Sequence, residues 1–403
     1  MIPADNPTGA IVVAPGREKP IQNKHPWIFS GAITELRGNP TPGDVVDVQT
    51  QSGRFLARGY WNPRSQIQVR ILTWREEPID ETWWRLRLQR AVEARRLLRV
   101  SGGLPMSRLV HAESDFLPGL IVDRYGEWLV LQALTLGIDQ RKAMLAALLT
   151  DLTRVRGVYE RSDVDVRGKE GLRDSVGGLQ GEEPPDLIQL SGDRQVRLID
   201  LRRGHKTGYY LDQLPNQGLL ADILNGGIAS DAPRLLNLFS YTGGFGLSNP
   251  GAVVNVDASR EVLELAEETY RLNGFDEAHA EFIQGDVFDF IRDQAAAHEL
   301  YDVVVCDPPK FAHNAGQVDK AARGYKDLNL HSFKLVKPGG LLLTFSCSGA
   351  ISRDLFQKIV FGALADSGRD AQILRHLAAG EDHPVALTFP EGEYLKGFLL
   401  RVC

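Results

Sequence analysis

Two strand ends in the C-terminal half carry side chains suited to covalent and acid–base chemistry. Val303-Val304-Val305-Cys306-Asp307-Pro308-Pro309-Lys310-Phe311 is an apolar run closed by an acid and two prolines, which fix the backbone where it leaves a sheet. Leu341-Leu342-Leu343-Thr344-Phe345-Ser346-Cys347-Ser348 closes a second apolar run with a cysteine between two serines, at the carboxyl edge where α/β sheets place chemistry. Cys347 is the nucleophile candidate and Asp307 the proton-donor candidate. A small buried hydrophobe is the other use for Cys347. Strand alternation turns Cys306 away from the face that Asp307 uses, so Cys306 is expected in the core, and Cys403 is given no role.

A ligand crevice is expected upstream. In Leu236-Asn237-Leu238-Phe239-Ser240-Tyr241-Thr242-Gly243-Gly244-Phe245-Gly246 a glycine-rich turn follows an apolar strand directly, and without a Cβ the backbone approaches a ligand closely. Val256-Asp257-Ala258-Ser259 ends the next strand with a carboxylate about 20 residues downstream, where doubly wound folds bind ribose hydroxyls. In Gln284-Gly285-Asp286-Val287-Phe288 a third strand end offers Asp286 to an adenine amino group and Val287 as an apolar edge. A glycine turn alone also serves plain chain reversal, and each aspartate alone also serves as a helix cap. The spacing Thr-Gly-Gly-Phe-Gly is not the G-x-G-x-x-G of a pyrophosphate cradle, which favours S-adenosylmethionine over a nicotinamide dinucleotide. With a methyl sulfonium present, a thiolate has a specific use: added to C6 of cytosine, it makes C5 nucleophilic enough to take the methyl group.

The elements that must position these groups alternate strand and helix beyond Asp231: strands at Leu235–Leu238, Val253–Val256, Glu281–Gln284, Asp302–Cys306 and Leu341–Phe345, and helices at Arg260–Leu272, Leu328–Val336 and Arg353–Ser367, with closing strands at Ala371–Leu374 and Phe398–Val402. This predicts a parallel sheet wrapped by helices. From Ala10 to about Leu72, short β-rich runs (Ala10–Val13, Val45–Gln49, Phe55–Trp61, Ile67–Ile71) between Gly, Pro and Asn clusters predict a small barrel or compact sheet. A helix over Glu81–Val100 carries Arg85, Arg87, Arg90, Arg95, Arg96 and Arg99, either a solvated face or a strip along RNA phosphates. Strands at Leu120–Val122, Trp128–Ala133 and Gly157–Glu160 and a helix at Ile138–Leu152 predict a small α+β unit, and Arg167–Asp186, rich in Gly, Pro and charge, reads as a linker.

Length and composition agree with several cores: 403 residues, 43% hydrophobic and 24% charged, exceed one ordinary domain and are too apolar for disorder. A net charge of −6 means that nucleic-acid binding needs a local basic face. The three cysteines form no CxxC pair and the nine histidines show no ligand spacing, so neither a metal site nor a disulfide framework is expected, which fits a reducing cytoplasm. The N-terminus lacks a targeting pattern, and no apolar run approaches the roughly 18 residues of a membrane span.

With these residues in view, the chain resembles the bacterial PUA-domain 5-methylcytosine methyltransferases that act on large-subunit ribosomal RNA, over nearly its whole length. The resemblance is carried by His25-Pro26-Trp27-Ile28-Phe29-Ser30-Gly31, Gly204-His205-Lys206-Thr207-Gly208-Tyr209-Tyr210-Leu211-Asp212-Gln213, Asp307-Pro308-Pro309-Lys310-Phe311 and Phe345-Ser346-Cys347-Ser348. It implies an N-terminal β-rich PUA domain (residues 1–75) for RNA docking, a central α+β domain (76–185) and an α/β class I methyltransferase domain of Rossmann-like fold (186–403). It also implies Cys347 as nucleophile, cytosine C5 as target, S-adenosylmethionine as cofactor, and RNA contacts at Arg203, Lys206 and Lys310. The expected partner is ribosomal RNA of an unassembled or partly assembled large subunit, in the cytoplasm and away from membranes, and a homodimer is an open alternative. Two departures stand out: Leu214-Pro215-Asn216 replaces a common arginine after Asp212-Gln213, and Lys310 stands where other RNA 5-methylcytosine enzymes carry a second cysteine. Two competing functions share these features: methylation of an exocyclic base amine, and a non-catalytic ribosome-assembly factor with a vestigial pocket.

Overall fold

The computed structural model describes residues 6–96, 103–193, 195–226, 232–249, 251–276 and 278–403. Six N-terminal strands, β1 (Gly9–Val13), β2 (Trp27–Phe29), β3 (Ile33–Gly38), β4 (Val45–Gln49), β5 (Phe55–Trp61) and β6 (Ile67–Thr73), form one sheet in the order β2-β6-β5-β4-β1-β3. β-Branched residues alternate inward, so that Ile11, Val13, Ile28, Val46, Val48, Val69 and Ile71 make its core. The bounds of β4 and β5 agree with the sequence reading. β2 and β3 were not anticipated, because β2 is three residues long and β3 is mostly exposed, leaving no alternation to detect.

The helix that follows is described over Glu81–Arg96; Arg99 lies outside the described residues. Its described arginines are put to different uses. Arg95 turns inward and holds Asp115 through two bonds of 2.6 and 2.7 Å, Arg85 pairs with Asp151, and Arg87 lies 5.0 Å over the Trp83 ring, leaving Arg90 and Arg96 exposed. A second sheet runs β11 (Ser175–Gly181), β10 (Gly157–Ser162), β9 (Trp128–Ala133), β8 (Leu120–Tyr125), β7 (Met106–His111). It packs its Leu/Val face on that helix and on Lys142–Thr153. Here the linker expectation is corrected: Arg167–Asp186 contains the edge strand β11, antiparallel to β10. Its glycines mimic a loop in sequence, yet an edge strand needs only backbone donors and acceptors, and Gly181, at φ +74, meets the Arg156 carbonyl where a Cβ would lie 2.2 Å away.

After the hairpin β12 (Ile188–Ser191) and β13 (Val196–Ile199) comes a seven-stranded sheet, β14 (Leu235–Leu238), β15 (Val253–Asp257), β16 (Ala280–Gln284), β17 (Tyr301–Cys306), β18 (Val336–Ser346), β19 (Ala371–Ala378) and β20 (Lys396–Val402), in the order β16-β15-β14-β17-β18-β20-β19. β14 to β18 are parallel, while β20 is antiparallel to both neighbours. This is the Rossmann-like methyltransferase arrangement, with apolar cores on both faces. The chain reverses strand order between β14 and β17, so a crevice opens at their carboxyl ends. Two helices beside that crevice, Leu214–Asn225 and Val287–Ala296, were not anticipated, and the helix ending at Leu335 begins at Val318 rather than near Leu328.

Candidate active site

The cofactor half is built on strained backbone. Phe239 and Tyr241 adopt left-handed conformations, φ +57 and +49, each costing about 1–3 kcal/mol in a bulky residue. The surroundings enforce them. Ser240 N donates to Val256 O (3.0 Å), Tyr241 N to Asp257 Oδ2 (2.9 Å), and the Tyr241 hydroxyl to Gly208 O (2.9 Å), while the ring stacks on His205 at 4.8 Å. Asp257 thus braces the turn and faces the crevice, also accepting from Ser259 N at 3.1 Å. Asp286 both caps the helix Val287–Ala296, accepting from Phe288 N at 2.7 Å, and lines the crevice.

Phe239, Ser240, Tyr241, Thr242, Gly244, Asp257, Ala258, Asp286 and Val287 share one cavity of about 630 Å³ with Asp307, Pro308, Lys206, Lys310 and Cys347. Three expected site residues lie outside its lining. Ser259 spends its hydroxyl capping the helix Arg260–Leu272, accepting from Val262 N, and Gly243, at φ +75, sits behind the turn where a Cβ would be 2.5 Å from the Tyr270 ring. The Arg203 side chain is 78% exposed and pairs with Asp200. The lining fits S-adenosylmethionine: carboxylates stand at two strand ends, Val287, Phe239 and Phe288 give apolar walls, and the buried Ser240 Oγ has no hydrogen-bond partner among the described residues.

The substrate half joins the ends of β17 and β18. Cys347 Sγ approaches Pro308 O at 3.9 Å, and Asp307 Oδ2 accepts from Gln213 Nε2 at 2.9 Å. Gln213 is fixed in turn by Asn216 Nδ2 (2.7 Å), which also donates to Ala378 O (3.0 Å), so the departure at Leu214-Pro215-Asn216 is put to use. Burial, and then the Asp212 charge, push the Asp307 carboxyl up to about 7. Burial and Asp307 push the Cys347 thiol up to about 11. Beneath them Asp212 accepts from Lys206 Nζ (2.7 Å) and the Tyr394 hydroxyl (2.6 Å). Burial opposes that carboxylate's charge, but Lys206, His383 and these hydrogen bonds hold it well below the usual range. Lys206 Nζ also lies 4.3 Å over the Tyr210 ring. Cys306 is fully buried in the core, its thiol pushed up to about 12 chiefly by burial.

Sequence reasoning missed His205, Tyr210, Asp212, Gln213, Gln217 and Tyr394 as cavity residues. The run from Gly204 to Gln213 was visible as a motif, but nothing in it says that it folds over strand ends a hundred residues away.

A PUA-like domain model matches residues 11–74, and the S-adenosylmethionine-dependent methyltransferase model matches residues 174–396. The chain is 45% identical over 401 residues to ribosomal RNA large subunit methyltransferase I of Aeromonas hydrophila, covering 98% of this chain and 99% of that one. It is 43% identical over 397 residues to the protein of the same name from Escherichia coli O127:H6, covering 97% and 99%. A solved S-adenosylmethionine-dependent methyltransferase from Streptococcus mutans shares the fold, with TM-score 0.81 at 20% identity over 97% of this chain and 99% of that one. The cofactor is therefore S-adenosylmethionine, in agreement with the cavity. The chain belongs to the S-adenosylmethionine-dependent methyltransferase family and, within it, to the ribosomal RNA large subunit methyltransferase I proteins.

Proposed function

We propose that the protein methylates C5 of a cytosine in large-subunit ribosomal RNA through a covalent bond between Cys347 and C6. The carrying observation is that Asp307 and Cys347 directly follow the adjacent strands β17 and β18 and line the same cavity as the cofactor residues. S-adenosylmethionine, when bound, supplies an electrophilic methyl group. Cys347, as thiolate, forms the S–C6 bond; the electrons of the C5–C6 double bond then make C5 the nucleophile, and Asp307 in its acid form gives a proton to N3 to balance the ring. After methylation, loss of the C5 proton to a base re-forms the double bond and expels Cys347 as thiolate, and N3 returns its proton to Asp307, leaving a neutral ring and a restored acid.

In this reading residues 1–75 dock RNA, 76–185 form the central domain and 186–403 carry catalysis, with Lys206 and Lys310 touching RNA from the cavity wall and Arg203 touching it from outside. Flipping a paired cytosine out costs a few kcal/mol, which favours RNA of an unassembled or partly assembled subunit, in the cytoplasm. The test is nucleoside analysis after wild-type and Cys347→Ala proteins meet methyl-labelled S-adenosylmethionine and unmodified ribosomal RNA. Labelled 5-methylcytidine from wild type alone is expected. Label in an exocyclic amine, or turnover by the variant, overturns the mechanism, and absence of label with wild type overturns the activity.

A further inference from the structure

Lys396 is the first residue of β20 and pairs across the sheet with Ser346, the last residue of β18 and the neighbour of Cys347. Its side chain is buried, the residue being 3% exposed. Nζ donates to the carbonyls of Ser348 (2.7 Å) and Ile351 (2.6 Å), which bracket the turn directly after Cys347. Among the described residues no carboxylate pairs with it: Glu393, whose charge reaches it, is bound by Arg353 at 3.1 Å. An ammonium buried on neutral carbonyls alone is costly, and a neutral donor would clamp those carbonyls as well.

We propose that Lys396 is a positioning residue for Cys347, holding the turn after the sulfur and supplying the positive charge that a thiolate there requires. The inference rests on Cys347 being the nucleophile. Burial pulls the Lys396 ammonium down to about 8, and the charge that most opposes this is Cys347; Glu393 adds to it, while Arg353 and Lys310 act the other way. On the sulfur side, burial, Asp307 and Asp212 disfavour the thiolate, while Lys206 and Lys310 favour it from the cavity. Lys396 adds a cation from β20, and as the thiolate forms during expulsion from C6 its charge is met there.

The test reads sulfur acidity without turnover. In a Cys403→Ser background, which removes the exposed thiol, alkylation of Cys347 by iodoacetamide is followed against pH by peptide mass spectrometry. Lys396→Gln keeps donors for the carbonyls and loses the charge; its Cys347 is expected to react about tenfold more slowly below about pH 8, where Lys396 is charged, and to converge on wild type above it, whereas Lys396→Arg stays within about twofold of wild type below that pH. A Lys396→Gln profile superimposed on wild type overturns the proposal. This readout does not depend on methyl transfer, so failure of the nucleophile assignment, seen as turnover by Cys347→Ala, is separately visible.

Discussion

Asp307→Asn should move two properties of the site in opposite directions. With the Cys347 thiol pushed up to about 11, roughly one molecule in 10,000 carries the thiolate near neutrality. After burial, the largest contribution to that rise is the Asp307 charge. That charge is itself conditional. Because burial and Asp212 raise the Asp307 carboxyl to about 7, it is a neutral acid below that pH and an anion above it. Replacing it with the neutral amide should therefore leave Cys347 alkylation unchanged well below neutrality and speed it by about three- to tenfold above. The same change removes the proton donor at N3, and a lost general acid costs about 10²- to 10⁴-fold in turnover. In wild type the sign follows from the raised pKa: donor capacity is full on the acid side and fades as pH rises through about 7, while thiolate grows, so kcat/KM should be bell-shaped, and the alkaline limb should flatten in the variant. The assays are peptide-resolved alkylation in a Cys403→Ser background and methyl transfer to ribosomal RNA. Slower alkylation of the variant above neutrality, or turnover within tenfold of wild type, would refute the assignment.

Arg108→Met should destabilise the fold by about 3–5 kcal/mol, measured by urea unfolding, because Asp123 is wholly buried and Arg108 holds both its oxygens at 2.8 Å. Adding Asp123→Asn should recover part of the loss, and a cost below about 1 kcal/mol would show that water reaches the carboxylate. Gly244→Ala would place a Cβ 2.4 Å from the Tyr209 hydroxyl and 2.5 Å from Gln217 Nε2. Calorimetry should show S-adenosylmethionine affinity reduced about tenfold or more in a folded protein, since a misplacement near 1 Å is felt by every contact of the turn; unchanged affinity would place the cofactor away from it.

What the sequence made legible was local. The helices Arg260–Leu272 and Arg353–Ser367 were bounded correctly, and each starts at a serine whose side chain accepts from the backbone three residues on, Ser259 from Val262 N and Ser352 from Leu355 N. Strand-end residues were legible as a site because parallel strands bring their carboxyl ends to one edge whatever else the chain does. The helix Val318–Leu335 was cut short because Gly324 and the polar residues around it weaken the apolar period. Ser259 and Gly243 have types that suit a binding turn, and the structure places both outside the cavity lining, Ser259 capping a helix and Gly243 admitting Tyr270. The partners that set the chemistry were not legible. Gln213 and Asp307 are 94 residues apart and Asp212 and Tyr394 are 182 apart, and no periodicity connects such positions.

The segment between β19 and β20 shows why the N-terminal sheets bear on catalysis. Asp382 accepts from Arg108 N at 2.9 Å and its carbonyl from Arg95 at 3.1 Å, tying it to the second sheet. Phe389 packs against Trp27 with ring centroids 4.8 Å apart, and Glu391 lies 3.3 Å from His25, tying it to the first. A few residues later Tyr394 donates to Asp212 and lines the cavity. Trp27 is anchored behind by its indole N–H on Glu113 (2.7 Å), itself paired with Arg70 at 2.7 Å, and both charged residues are buried. Separating such a pair leaves an uncompensated charge and costs about 3–5 kcal/mol, more than a flexible tether would ask. On the proposed function, RNA held by the first sheet therefore meets the Cys347 cavity at a fixed distance, and site choice becomes a matter of which cytosine lies at that distance from the docked segment.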